Sequence, residues 1–299
     1  VIDSPYIYEG NVKDRSMQVT GEIAEIREAI ARSRQQGCQI GCVPTMGALH
    51  AGHISLVEEC RKRVDYVLVT IFVNPTQFGQ GEDLDKYPRP LEADLDACRA
   101  AGVSCVYTPE IPSLYPDGYG TWVDVEGMST ILEGECRPDH FRGVTTIVAK
   151  LLNIIQPDVA CFGAKDYQQQ TLIRQMVRDL NMPIEVVVAP TVREADGLAM
   201  SSRNQYLSPE QRQTALCLSQ ALNIAEESLL AGETSIAQVE KRMLDHINSF
   251  DDVRPEYTVL RDPDTLEELK SLQPEMVALI ATYVGQTRLI DNRRISLPQ

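Results

Sequence analysis

Apolar residues recur along this chain with two different periods, and their alternation predicts its architecture. Over residues 20–36, Ile23, Ile26 and Ile30 fall on one face of a helix. Thr20 is the expected N-cap, Glu22 places a carboxylate in the first turn, and Gly37 ends the helix. The apolar run 40–43 reads as a strand that passes through a turn into the helix of PTMGALHAGHISLVEECRKR. Residues 66–73 (YVLVTIFV) are rich in β-branched side chains and predict a strand buried on both faces, closing a first βαβ unit. The pattern continues with a helix over 91–101, a strand over 103–107, a loop-rich stretch over 108–145, an apolar helix over 144–155, a strand over 159–162, a helix over 166–180 and a strand over 184–189. Strands alternating with helices predict a parallel, doubly wound, Rossmann-like α/β sheet, with ligands beyond the C-terminal ends of its strands.

The texture changes after residue 191. Ser208 as N-cap and Pro209 at the first helical position open a helix that closes at Gly232, and a second helix covers 235–248. Strand-like stretches follow at 256–260, 276–283 and 288–290. These predict a loose leader over 1–17, a Rossmann-like domain over 18–191 and a smaller C-terminal α+β domain over 192–299 that closes over the site. No internal repeat or low-complexity tract interrupts them.

Composition narrows the partners. A formal net charge of -15 argues against a nucleic-acid coat or an anionic membrane surface, although local cations can still hold a small anion. Eight cysteines without a C-x-x-C pair, several of them in apolar runs, read as buried free thiols of a reducing compartment rather than a disulfide framework or zinc site. The chain has no apolar run of transmembrane length, and VIDSPYIYEGNVKDRS has no secretory pattern, so a cytoplasmic location is expected.

Candidate chemistry concentrates at the predicted strand ends. In Pro44-Thr45-Met46-Gly47-Ala48-Leu49-His50-Ala51-Gly52-His53, glycines allow a tight turn and the following helix offers N–H groups to a phosphate. His50 and His53 are spaced to share one side of the first turn, where imidazoles can donate to charge that grows on a leaving pyrophosphate. The bland alternative is a surface pair or half a metal site. Leu198-Ala199-Met200-Ser201-Ser202-Arg203-Asn204 combines two hydroxyls and a guanidinium into an anion clamp on a loop able to close; otherwise it is an ordinary polar loop. Phe162-Gly163-Ala164-Lys165-Asp166-Tyr167-Gln168-Gln169 offers Lys165 to phosphate and Asp166 to a ribose hydroxyl or as a helix cap. In Asn74-Pro75-Thr76-Gln77-Phe78, two amides suit a small polar substrate; the alternative is a simple turn.

The loop with His50 and His53 resembles the H-x-G-H signature of the nucleotidylyltransferase superfamily, and the Met200–Arg203 loop resembles that superfamily's second phosphate loop. Taken together, PTMGALHAGH, VNPTQF, LEGECRPDHFRGV, FGAKDYQQ, DGLAMSSRNQYL and the ending RLIDN resemble the pantothenate synthetase (pantoate–β-alanine ligase) family from about residue 18 to residue 294. The resemblance implies ATP-dependent condensation of pantoate with β-alanine through a pantoyl adenylate, releasing AMP and pyrophosphate. It implies ATP contacts from Met46 through His53, from Gly163, Ala164, Lys165 and Asp166, from Val192, and from Met200, Ser201, Ser202 and Arg203. His53 matches the assigned proton donor, with His50, Lys165 and Arg203 beside it in the chemistry. Gln77 matches a contact to both acids and Gln169 a second pantoate contact, with Asn74 beside them. Magnesium is expected with the triphosphate, with Asp94 as its nearest carboxylate or else as a solvated helix residue. A homodimer is implied as well. The family commonly has Gly-Glu-Lys-Asp where this chain has Gly163-Ala164-Lys165-Asp166, which puts a side-chain role at that position in doubt.

Three rivals stand beside this expectation. A nucleotidylyltransferase for a phosphate-bearing acceptor would want cations near Gln77, where neutral amides stand. A tRNA-charging enzyme is opposed by the acidic chain. A nucleotide sensor that has lost its chemistry is opposed by the intact His50, His53, Lys165 and Arg203. Arg137 and His140 either reach the site or serve the fold.

Overall fold

The computed structural model describes residues 17–298, so the expected leader lies, apart from Met17, outside the described residues. Six parallel strands form the larger sheet: β1 (Gln18–Thr20), β2 (Ile40–Thr45), β3 (Tyr66–Ile71), β4 (Cys105–Tyr107), β5 (Val159–Gly163) and β6 (Glu185–Ala189), in the order β1-β4-β3-β2-β5-β6. Between them run α1 (Ile23–Gln35), α2 (Ala51–Arg61), α3 (Leu91–Ala100), the short α4 (Ile111–Leu114) and α5 (Glu133–Cys136), α6 (His140–Ile155) and α7 (Tyr167–Asp179).

The period of two along each strand separates two apolar layers. Ile40, Cys42, Leu68 and Phe162 pack with Ile26 and Ile30 of α1, the apolar face of α6, and Leu172 and Met176 of α7. Val43, Val67, Val69 and Cys161 pack on the other side with Leu56 and Cys60 of α2 and Leu95 of α3. Both sheet faces are therefore covered, which is why these strands read as continuous apolar runs.

Strand order reverses between β2 and β5. β2 pairs with β3 along all six residues, Ile40↔Tyr66 to Thr45↔Ile71. With β5 it pairs only through Gly41↔Val159 and Cys42↔Ala160. Beyond those two pairs the strands part, and the gap at their C-terminal ends is the crevice expected of a topological switch point.

The C-terminal part contains α8 (Pro209–Leu230), α9 (Ile236–Asn248) and an antiparallel sheet of β7 (Val253–Arg261), β8 (Glu275–Val284) and β9 (Thr287–Ser296). Ser208 caps α8 as expected: its hydroxyl accepts from the Gln211 N–H at 3.2 Å, and Gln211 Oε1 accepts from the Ser208 N–H at 3.2 Å. Residues of β9 and α8 share one apolar layer, with Leu289 and Ile295 against Leu218 and Leu222.

Polar contacts join the two sheets. Glu133 accepts from Arg288 at 2.6 and 2.7 Å and from the Tyr257 hydroxyl at 2.6 Å. Arg193 forks onto Asp291 at 2.7 and 2.9 Å. The Asn292 amide donates to the carbonyls of Ala164 at 3.0 Å and Lys165 at 2.7 Å.

Several expectations need correction. Thr20 is not the cap of α1 but the last residue of edge strand β1; Glu22 takes the N-cap position, and its N–H donates to the Thr20 hydroxyl at 3.1 Å. β3 stops at Ile71, because Phe72 and Val73 already turn towards the Asn74 loop. The loop-rich stretch 108–145 contains α4 and α5, each four residues long and too short to show a helical period. β9 spans ten residues rather than three, its apolar positions interrupted by Arg, Asp and Asn side chains that make the contacts above. All eight cysteines are free, Cys136 alone being exposed.

Candidate active site

Where β2 hands over to α2, the chain makes two consecutive left-handed steps, Gly47 at φ +80° and Ala48 at φ +51°. The Gly47 N–H is held by the Thr45 hydroxyl at 3.1 Å. The next two N–H groups, of Ala48 and Leu49, point away from the crevice at the carboxylate of Asp94, 2.8 and 2.7 Å away.

His50 is then the N-cap of α2. Its Nδ1 accepts from the Gly52 N–H at 3.1 Å, and His53 Nδ1 accepts from the His50 N–H at 3.3 Å. A neutral imidazole that accepts at Nδ1 carries its proton on Nε2. Each ring therefore has one N–H left to offer, and the ring centroids lie 4.2 Å apart. Burial, then the neighbouring His50 and Lys165, pushes His53 down to about 3, and burial followed by Lys165 lowers His50. Both rings are neutral donors near pH 7.

After β3, Asn74 is buried, and its amide is fully engaged. It donates to Gln77 Oε1 and to the Gly143 carbonyl, both at 3.1 Å, and accepts from the Tyr115 hydroxyl at 2.9 Å and the Thr76 hydroxyl at 3.0 Å. Gly143 permits this approach, since a Cβ there would meet the Thr76 carbonyl oxygen at 2.3 Å. Asn74 thus holds Gln77 rather than offering its own amide. The Gln77 carbonyl accepts from His140 Nδ1 at 2.7 Å, so His140 Nε2 is the acceptor facing an Arg137 N–H at 3.1 Å. Arg137 is itself forked onto Glu82 at 2.8 and 2.6 Å. Burial, then the Arg137 charge, lowers His140 to about 4.

At the end of β5, Lys165 Nζ lies 3.6 Å from Asp166. Asp166 stands at the N-cap position of α7 but makes no side-chain capping bond, so its carboxylate remains available. Burial acts to raise its pKa, yet the Lys165 and Arg203 charges outweigh it and hold Asp166 below its ordinary value. In the first turn of α7, Gln169 faces the crevice, while Gln168 turns away and donates to the carbonyls of Met128 and Ile131, both at 2.8 Å.

The segment after β6 folds back as a hairpin, with Met200 N–H on the Val192 carbonyl at 3.0 Å and Glu194 N–H on the Leu198 carbonyl at 2.8 Å. The Ser201 hydroxyl accepts from the Arg203 N–H at 3.2 Å. The Arg203 guanidinium forks onto Asp83 at 3.0 and 2.9 Å and lies 5.9 Å from the centre of the Tyr87 ring.

These four segments surround one cavity of about 220 Å³. It is lined by Met46, His50, Gly52 and His53 from the first motif and by Asn74 and Gln77 from the second. Gly163, Lys165, Asp166 and Gln169 line it from the third, and Val192, Met200, Ser201, Ser202 and Arg203 from the fourth. Gly47, Ala48, Leu49, Ala51 and Ala164 do not line it. Nor does Asp94: buried at 3% exposure with both oxygens engaged by loop N–H groups, it is not placed to meet a triphosphate. Arg137 and His140 do reach the cavity. The motif reading missed Tyr87 and the wall of Val144, Val148 and Leu151. The apolar stripe of α6 was the signal for that wall, but period alone does not say that one edge of the stripe faces a ligand.

Many N–H donors, three of them cationic (Lys165, Arg203 and Arg137), gathered at a switch point suit a ligand with several phosphate groups, so fold and site define a nucleotide-handling α/β enzyme. The family model for pantoate-beta-alanine ligase matches residues 18–294. Pantothenate synthetase of Moorella thermoacetica is 51% identical over 276 residues, covering 92% of this chain and 98% of that protein. The crystal structure of pantothenate synthetase from Thermus thermophilus superposes with a TM-score of 0.88 at 43% identity, covering 93% of this chain and 99% of that one. The pantoate-beta-alanine ligase of Francisella tularensis, complexed with beta-gamma ATP and beta-alanine, gives 0.77 at 33% identity over 93% and 97%. The chain belongs to the pantoate–β-alanine ligase family. Its activity is the ligation of pantoate to β-alanine, giving pantothenate, with ATP and Mg²⁺.

Proposed function

We propose that the cavity performs this ligation in two steps and that His53, His50, Lys165 and Arg203 carry the first. ATP lies across the gap between β2 and β5, with its phosphates between the two imidazoles and the two cations. The pantoate carboxylate attacks the α-phosphorus, and pyrophosphate leaves. Charge grows on the leaving oxygens, where the Nε2–H groups of His50 and His53 strengthen their hydrogen bonds. No protein nucleophile takes part; the protein contributes positioning and fixed donors.

The observation that carries this reading is the capping arrangement, which occupies Nδ1 of both rings and leaves Nε2–H as the polar group each offers to the cavity. Gln77 and Gln169 hold pantoate by its hydroxyls and carboxylate, against the apolar wall of Val144, Val148 and Leu151, which suits its methyl groups. Asn74 acts through Gln77. In the second step the β-alanine amine attacks the acyl carbon, the acyl–phosphate bond breaks, AMP leaves, and the amine's protons pass to solvent.

Among the described residues no group of three or more His, Cys, Asp and Glu side chains could hold a metal by itself. That fits an ion held mainly by triphosphate oxygens, with Asp166 as the carboxylate within the cavity. Bound there, Mg²⁺ would neutralise phosphate charge.

Three further expectations belong to this reading. The chain divides at 191/192, and the C-terminal part closes over ATP through the Met200–Arg203 loop. It pairs as a homodimer through the 18–191 domain, and it works in the cytoplasm, with no nucleic-acid or membrane partner. Among the described residues no helix is long and apolar enough to cross a membrane.

The test is pyrophosphate and AMP release from ATP, Mg²⁺ and pantoate, with and without β-alanine. Pantoate-dependent exchange of pyrophosphate into ATP, with AMP release that also requires β-alanine, is expected. AMP released without prior exchange would overturn the adenylate step.

A further inference from the structure

We infer that Asp94 is a positioning residue for the histidine loop: an internal anion that fixes the Gly47–Ala48 turn and thereby decides which ring nitrogens His50 and His53 present to ATP. It rests on the proposed role of those two imidazoles.

Successive N–H groups exposed by a turn can form a concavity that binds an anion. At the entrance to a helix beside a nucleotide crevice, the expected anion is a ligand phosphate. Here the chain supplies its own. The N–H groups of Ala48 and Leu49 converge on Oδ2 and Oδ1 of Asp94 at 2.8 and 2.7 Å, from the side of the loop away from the cavity. The fit is close. A Cβ on Gly47 would stand 2.9 Å from Asp94 Oδ2 and 3.1 Å from Ile71 Cγ2, so only glycine passes between carboxylate and sheet. Asp94 itself is 3% exposed and lies in the first turn of α3, where the helix dipole favours its charge.

Two consequences follow for the chemistry. Ala48 is held at φ +51°, a conformation that an L-residue with a Cβ adopts reluctantly, and the two charge-assisted bonds to Asp94 offset that cost. The loop also has no N–H of Ala48 or Leu49 to spare for phosphate, so donation passes to the next residues, where His50 caps α2. His50 Nδ1 must meet the Gly52 N–H and His53 Nδ1 the His50 N–H. Both contacts depend on where Leu49 delivers the chain, one bond beyond the Asp94 anchor. Asp94 therefore acts on the reaction without touching substrate.

Asp94→Asn is the direct test. Its amide can accept one of the two N–H groups but opposes the other with a second donor. In ¹⁵N-histidine-labelled protein, the wild type is expected to give the Nε2–H tautomer signature for His50 and His53, and D94N a mixture of tautomers. The rate of pantoate-dependent pyrophosphate exchange at saturation is expected to fall roughly 10- to 100-fold, with the KM for ATP changed less than about threefold, because the lost geometry matters most in the transition state. Ala48→Gly in the D94N background should recover at least about threefold of that rate, since glycine holds positive φ without the steric cost.

Unchanged ring signatures, an exchange rate within about twofold of wild type where His53→Ala does slow exchange, or a loss reversed by raising Mg²⁺ would overturn the assignment; the last would make Asp94 a metal ligand. Should D94N not accumulate as folded protein, Gly47→Ala strikes the same contact from the loop side and is read in the same way. The ring signatures decide the role of Asp94 even if His53→Ala shows the imidazoles to be irrelevant to exchange, so the two readings fail separately.

Discussion

Replacing Arg288 by Met strikes a buried contact between α5 and the C-terminal sheet. Glu133 comes from α5, in the part of the chain that carries the larger sheet, and its side chain is 8% exposed. Its carboxylate accepts two bonds from Arg288 and one from Tyr257, both from the C-terminal part. Arg288 also reaches Glu256 at 2.6 Å. Without the guanidinium, a buried carboxylate keeps a single hydroxyl donor. Breaking one side of such a pair costs about 3–5 kcal/mol, a large part of the ~5–15 kcal/mol that typically separates folded from unfolded protein. Glu133→Gln combined with R288M removes the stranded charge, so the double variant should recover part of the loss; the cycle of four proteins gives the coupling directly.

The loss should also depend on pH in a defined direction. Burial tends to raise the Glu133 pKa, but the Arg288 hydrogen bonds and charge hold it below its ordinary 4.5. In the wild type this contribution is complete above pH 4.5 and fades as pH falls through the depressed value. In R288M burial is opposed only by the Tyr257 hydroxyl and the Arg137 charge, so Glu133 takes up a proton at higher pH. The difference between the two proteins should be largest near neutrality and shrink towards about pH 4. Urea unfolding followed by far-UV circular dichroism and by the single tryptophan, Trp122, would read both the loss and whether the two parts unfold together. A cost below about 1 kcal/mol at neutral pH, or one that does not change with pH, would refute the reasoning.

The remaining predictions concern the cavity. His53→Ala should slow pantoate-dependent exchange roughly 10²-fold, the scale of one lost transition-state donor, and a near wild-type rate would remove His53 from the chemistry. With His53 lowered to about 3, His140 to about 4 and His50 lowered as well, mainly by burial, kcat/KM for MgATP should show no imidazole limb at or above the ordinary 6.5; an inflection there would contradict neutral donors. Because these folded values lie below the ordinary 6.5, the same rings should make the protein less stable as pH falls from 6.5 towards 4, and melting curves check that sign. Asn74→Ala removes the brace on Gln77 and should raise the KM for pantoate roughly tenfold with little change in that for ATP, as steady-state kinetics would show.

Much of this was legible because the signals were local and repeated. Strands β2, β3 and β5 are buried on both faces, so each shows as an apolar run bounded by polar turns. Ser208 and Gln211 form a cap readable within four residues. β1 escaped because three residues carry no period and because Thr20, a good cap by chemistry, stands where an edge strand ends. Residues from all four motifs line one cavity, although Gly47, Ala48, Leu49, Ala51 and Ala164 do not, and the division of labour among them did not show. Asn74 and Gln77 look equivalent as a pair of amides; only the Gly143 carbonyl and the Tyr115 hydroxyl, distant in sequence, reveal that one amide is spent holding the other. Asp94 misled for a related reason. A glycine turn before a helix announces an anion site, but it does not say whether the anion arrives with the ligand or from a helix 46 residues further along the chain.

The departure at Ala164 can be placed on the same footing. A glutamate at this position would add a carboxylate beside Lys165, yet the position does not line the cavity. What Ala164 contributes is backbone: its N–H donates to the Ala189 carbonyl at 2.8 Å, and its own carbonyl accepts from Asn292 at 3.0 Å. Asn292 also takes the Lys165 carbonyl at 2.7 Å, while the adjacent Asp291 holds Arg193 at the root of the Met200–Arg203 hairpin. Two consecutive residues of β9 therefore set both the turn that aims Lys165 and the base of the loop that carries Arg203. The ending RLIDN contributes none of the cations or imidazoles that line the cavity, yet through these contacts it shapes the cavity from behind. The backbone at this turn is held from both sides, by Ala189 and by Asn292, through groups that do not involve the side chain at 164.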